Sequence, residues 1–228
     1  GVKPTADVQA TGTNGAPRPP SRQAAAPVAA GVVTGAAATR MGAAAVTVPG
    51  EAEAAATESA LKDALAQMRA QPAGASVSDR LGTVVSAMHR TMGFSLSVLA
   101  LKDVRSQLIR PVILIAESGG DTSELRPLFE VDLESTSELF ALLAQRKTDV
   151  YIADAQADSV RTRVPRGLIQ GRGVRSFLFM SLNLEGRVLG YMYADFGARA
   201  ATQLPATQLA LLKSMRDEAV GAFRKRVA

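Results

Sequence analysis

Residues 176–196 read SFLFMSLNLEGRVLGYMYADF. Apolar residues dominate Ser176–Leu184 and Val188–Phe196, and Glu185-Gly186-Arg187 separates them. Two apolar runs around a short glycine turn predict a β-hairpin. With Glu185 and Gly186 as the turn residues, uninterrupted pairing sets Leu178, Met180 and Leu182 opposite Tyr193, Tyr191 and Leu189. A slip of one residue at Gly186 would exchange every partner.

Working upstream, Asp149–Asp154 (DVYIAD) reads as a strand, and a polar, arginine-rich stretch with several glycines follows it to Arg175. Ser135-Thr136-Ser137-Glu138 is a capping box opening a helix with Leu139, Phe140, Leu142 and Leu143. A short extended piece is expected at Leu128–Val131, and Pro111–Glu117 (PVILIAE) is a continuous apolar run, as in a strand covered on both faces. Phe94–Leu101 (FSLSVLAL) alternates with period two. Before it, a helix starting near Ser78 carries the stripe Leu81, Val84, Val85, Met88 and Met92, with Gly93 as its stop. Glu51–Arg69 is built of good helix formers with Leu61, Leu65 and Met68 at helical spacing, and the loop at Gln71–Gly74 ends it. Downstream of the hairpin, Pro205–Arg226 is an amphipathic helix whose terminal cations complement its dipole. Strands in adjacent hairpins with helices segregated to one side make an α+β class.

Residues 1–50 are rich in Ala, Pro, Gly, Thr and Val, and no aromatic residue precedes Phe94. Such a segment buries too little apolar surface to offset its ordering entropy, so a disordered tether is expected. The expected organisation is therefore a linker over 1–50, a connecting helix over 51–75 and a domain over 76–228. A start at Gly1 suggests a piece of a longer protein.

The 228 residues contain no Cys and one His, His89. That excludes disulfides, thiolate metal sites and cysteine nucleophiles, and leaves any Ser-His-Asp triad dependent on His89. The His follows Met88 on an apolar helix stripe, which favours a packed structural role. The net charge of +5 is scattered and lacks interleaved aromatics, which argues against a nucleic-acid partner. No apolar run approaches the ~20 residues of a membrane-spanning helix, and no signal peptide is seen. A cytoplasmic location, no membrane partner and no enzyme activity are the expectations.

The element order resembles a GAF domain over roughly residues 76–225. The hairpin, with Gly190 through Asp195 as its glycine–aromatic–small–Asp strand, is similar to the family's signature. So is FALLAQRKTDVYIADAQAD, a helix and then a strand ending at Asp154. The VPRGL stretch, Val164–Leu168, resembles the GAF-like regions that follow HDOD domains in bacterial signalling proteins. The resemblance implies a central antiparallel sheet of about six strands. Terminal helices cover one face, and a pocket roofed by loops and short helices lies on the other. It further implies a regulatory module of a larger signalling protein, a small-molecule or nucleotide ligand, and a homodimer through the terminal helices. Members that attach tetrapyrroles or reduce sulfoxides use cysteines that this chain lacks, and no cofactor is expected.

Within that frame, Arg161, Arg163, Arg166 and Arg172, with Arg175, fall on the pocket roof. They read either as bidentate partners of a phosphate or carboxylate, or as a solvated loop. Asp154 and Asp195 read as pocket carboxylates or as caps of the following turns. Tyr151, Tyr191 and Tyr193 read as ligand contacts or as packed core. An open void lined by arginines and tyrosines would mean sensing. A cavity closed by Phe177, Phe179 or Met192 would mean a dimerisation or docking scaffold.

Overall fold

In the computed structural model the described residues run from Gly50 to Arg224, apart from 73, 118, 120, 121 and 200–202. The tether expected over 1–50 lies outside them, Gly50 aside.

The hairpin forms as β5 (Phe177–Leu184) and β6 (Arg187–Asp195). Glu185 and Gly186 both take positive φ, 50° and 79°, as the two-residue turns that suit a twisted hairpin require. The register departs from uninterrupted pairing. Asn183 faces Val188, but Leu182 faces Gly190, so Leu189 is an extra residue on β6. Leu178, Met180 and Leu182 therefore pair with Ala194, Met192 and Gly190, not with Tyr193, Tyr191 and Leu189. The physical reason is a β-bulge, which inverts the facing of every residue beyond it. Phe179 now pairs with Tyr193 and Ser181 with Tyr191, so both tyrosines share a face with Phe177 and Phe179.

β6 also pairs with β1 (Leu96–Lys102), and β1 with β2 (Leu108–Ala116). A second bulge lies here: Ala100 faces Pro111 while Leu99 faces Ile113, leaving Val112 unpaired and exposed. The irregularity accommodates a proline, which cannot donate to the ladder. β3 (Val131–Asp132) flanks β2, and β4 (Val150–Ile152) flanks β5. The sheet has six strands in the order β3-β2-β1-β6-β5-β4, every neighbour antiparallel, in agreement with the expected α+β sheet.

One face is covered by α1 (Glu51–Arg69), α2 (Val77–Met92) and α5 (Ala206–Arg224). α2 is bounded as its sequence dictates: the Ser76 hydroxyl accepts the Asp79 N–H at 3.1 Å, and Gly93 ends the helix in the left-handed region. Leu61, Val85, Met88 and Met215 bury against Leu99, Met180 and Met192 of the sheet. Each such side chain contributes about 1.5–3 kcal/mol on burial. The connecting segment over 51–75 supplies α1 to this layer. Arg69 bonds Glu218 at 2.8 Å and the Gln208 amide donates to the Ala54 carbonyl at 3.2 Å, both joining α1 to α5.

The other face carries a 3-10 helix (Ser123–Phe129), α3 (Leu139–Gln145), α4 (Asp158–Arg161) and a π-helical turn (Gly167–Gly171). Two expectations are corrected here. Leu128 lies in the 3-10 helix, not in a strand over 128–131, because Phe129 turns inward and its carbonyl accepts the Tyr191 hydroxyl instead of joining a ladder. The Ser135 hydroxyl does accept the Glu138 N–H, at 3.4 Å, but as a turn ahead of the helix. α3 begins at Leu139, whose N–H donates to the Arg163 carbonyl at 3.0 Å.

Candidate functional site

Between the sheet and its second cover lies the place where the family resemblance puts a pocket. It is filled by six aromatic rings. The bulge aims Tyr191 and Tyr193 into it beside Phe177 and Phe179, while Phe129 comes from the 3-10 helix and Phe140 from α3. None of the six is more than 2% exposed. Phe140 sits at the centre, with ring centroids 5.5 Å from Phe179 and Tyr193, 5.9 Å from Phe177, 6.0 Å from Tyr191 and 6.5 Å from Phe129. Phe177 stacks on Tyr193 and Phe179 on Tyr191 at 5.4 and 4.9 Å. Such pairs each add about 0.5–1.5 kcal/mol beyond burial.

The two buried hydroxyls are satisfied internally. Tyr191 donates to the Phe129 carbonyl at 2.5 Å, and Tyr193 donates to Asp195 Oδ2 at 2.9 Å. Burial pushes both phenols well above their ordinary pKa, so they stay neutral donors. Asp195 is wholly buried, and its other oxygen accepts the Gly197 N–H at 2.7 Å. Burial raises its pKa, and Arg172, whose Nη2 lies 3.8 Å away, opposes that rise.

The structure does not gather the eight residues picked from sequence into one site. Tyr191 and Tyr193 lie inside the aromatic fill, with Arg172 at its rim beside Asp195. Tyr151 is half-buried on the opposite face, against the helical layer, and burial raises its pKa. Asp154 is exposed, and its carboxylate accepts the Gln156 N–H at 2.9 Å, closing a local turn. Arg163 donates to the Ser137 carbonyl at 3.4 Å. Arg161 pairs with Asp158 at 2.8 Å and, with Arg166, lines a separate outer cleft between α4 and the π-helical turn. Met192, a candidate for closing the cavity, faces the helical layer because of the bulge. Phe129 and Phe140 complete the closure and were not singled out in the sequence. The one available signal was that they are large apolar residues in the segments opposite the hairpin.

The helical face of the sheet holds a void of about 10 Å³ beside Val85, Met88 and Ser97. That is room for about one water. Nearby, His89 Nδ1 and Ser97 Oγ lie 3.1 Å apart, both buried, and desolvation lowers the His89 pKa. Among the described residues there is no group of three or more His, Cys, Asp or Glu side chains placed to hold a metal ion. No described helix is long and apolar enough to cross a membrane.

No protein-family model matches the chain, and no curated protein matches it in sequence. Solved structures do resemble it. The GAF domain of an Acinetobacter phosphoenolpyruvate-protein phosphotransferase superposes with a TM-score of 0.57 at 17% identity, covering 73% of this chain and 91% of that one. A free methionine-R-sulfoxide reductase from Neisseria meningitidis, solved in complex with its substrate, gives 0.56 at 14% identity, covering 80% and 97%. Residues 122 to 287 of a methyl-accepting chemotaxis protein give 0.53 at 15%, covering 75% and 97%. The fold is that of a GAF domain.

Proposed function

We propose that the chain is a non-catalytic regulatory module of a cytoplasmic bacterial signal-transduction protein. Its sheet pocket is closed by its own side chains, and its α1–α2–α5 layer serves homodimerisation or docking to an attached signalling domain. The observation that carries this reading is the aromatic fill. A ligand seated on the sheet would have to displace the packed Phe140 ring and at least one stacked tyrosine whose hydroxyl is already hydrogen-bonded. Similarity to a chemotaxis-protein domain and to a phosphotransferase GAF domain supports the regulatory setting. A likeness to a reductase supplies no counterpart chemistry, because a chain without Cys has no thiol to oxidise. Fold and function part company readily, and in this reading the site has changed while the scaffold has stayed.

Native mass spectrometry of the purified chain, alone and after incubation with cyclic nucleotides, tests the proposal. The expected result is a dimer with its sheet pocket unoccupied. A stoichiometric adduct that survives replacement of Arg161 and Arg166 together by Ala, and so is seated in the sheet pocket, would overturn the closed-pocket reading. A bare monomer at every concentration would overturn homodimerisation and leave docking as the role of the helical layer.

A further inference from the structure

The outer cleft is lined by Gln156, Arg161, Thr162, Arg166, Ile169 and Gln170 and encloses about 510 Å³. That volume falls within the range of small-molecule sites. Its lining contains two guanidiniums and no carboxylate. The surrounding segment, residues 154–175, has five arginines against two aspartates, a net +3. Both aspartates are already engaged: Asp154 accepts the Gln156 N–H, and Asp158 accepts Arg161 Nε. The Asp158 contact uses one edge of the Arg161 fork and leaves its terminal amines unassigned. Arg166 has no ion-pair partner among the described residues.

The walls are held in place from below. Leu168 and Ile169 bury into the core behind the π-helical turn, and the Gln156 amide donates to the Val174 carbonyl at 2.7 Å. Gly167 packs so tightly on Leu128 that a Cβ there would lie 2.7 Å from its side chain. The two arginines therefore stand on a fixed backbone, which lowers the ordering cost of gripping a ligand.

We infer that this cleft is a binding site for a small phosphate-bearing molecule. Arg161 and Arg166 hold the phosphate, and Gln156, Gln170 and Ile169 contact the remainder. Phosphate is the favoured anion because two guanidinium forks can share its oxygens while a single carboxylate offers only two. The site lies outside the aromatic fill, so it does not depend on the sheet pocket being open.

The test is a titration of the isotopically labelled chain with phenyl phosphate, with benzoate as the carboxylate arm, followed by backbone and arginine side-chain NMR. Saturable shifts centred on Arg161, Arg166 and Gln170 are expected with phenyl phosphate and only weak ones with benzoate. Arg166→Ala, an exposed change that leaves the core intact, should weaken binding by about tenfold, as for loss of one charge-assisted bond. Arg175→Ala, outside the cleft, should leave binding unchanged. Shifts that never saturate, equal losses in both variants, or equal binding of benzoate would overturn the inference. Saturable shifts centred on Tyr193 and Phe177 would overturn both it and the closed-pocket reading. Absence of any binding would remove the outer site alone.

Discussion

Replacing Phe140 by Ala removes the ring that touches every other member of the aromatic fill, and it does so in a side chain only 2% exposed. The void left is on the order of 100 Å³, which at ~24 cal/mol per Å³ costs ~2.4 kcal/mol; the lost transfer energy brings the total to about 4 kcal/mol, inside the ~3–5 kcal/mol spread for such changes. For a domain of this size each kcal/mol moves Tm by about 2–4 °C, so a fall of about 10 °C is expected in calorimetry. An apolar void of this kind stays dry and accepts small aromatics. Benzene at about ten times its Kd should then restore ~1.4 kcal/mol to the variant and nothing to the wild type. Phe140→Leu, which keeps most of the volume, should lose under half as much and guards against a variant that does not fold. A loss below about 1 kcal/mol for Phe140→Ala, well under the usual range for a buried ring, would refute the claim that the pocket is packed shut. So would equal stabilisation of wild type and variant by benzene.

Gly190→Ala should abolish folding or cost several kcal/mol, because a Cβ at Gly190 (φ +154°) would lie 2.0 Å from the Ala100 carbonyl oxygen of the neighbouring strand. Soluble expression and circular dichroism read this directly, and a variant of native stability would contradict the β1–β6 register. His89, as the only histidine, gives a single ring signal in a proton NMR titration. Burial lowers its pKa below the ordinary 6.5 in the folded state, so the unfolded chain binds the proton more readily. Its contribution to stability is therefore complete above about pH 6.5 and is lost as pH falls through the folded-state value. His89→Gln should flatten that part of the stability curve in urea melts. A folded-state titration at or above 6.5 would contradict the burial argument.

Local chemistry made much of the fold readable. The α2 stop at Gly93 and the hairpin turn at Glu185-Gly186 were each settled within a few residues of chain; the helix start, expected near Ser78, falls at Val77 behind a Ser76 cap that was not picked out. The hairpin register was not readable in the same way. It turns on whether Leu189 is paired or extra. That is decided where Gly190 lets β1 approach closely, a contact between segments about 90 residues apart. The same holds for Phe129. Its residues suit a strand, and only the hydroxyl of Tyr191, 62 positions away, claims its carbonyl and ends the 3-10 helix there. The candidate site suffered most, since arginines close in sequence separate in space: Arg172 turns in toward Asp195, and Arg161 and Arg166 turn out.

One extra residue on β6 thus sets the character of both faces of the sheet. By sending Tyr191 and Tyr193 to the pocket side it closes that pocket, and by sending Met192 to the other, beside Met180 of β5, it completes the floor for α2 and α5. The link from that floor to α5 is also polar. Arg216 on α5 donates through one amine, Nη1, to Asp149 Oδ1 and to the Ser181 carbonyl, each at 2.9 Å. The Ser181 N–H donates back to the same Asp149 oxygen at 3.0 Å. The ion pair is about 15% exposed on each side, so solvent screens it weakly. α5 therefore cannot rotate or slide without breaking a three-way contact to the middle of β5 and the start of β4.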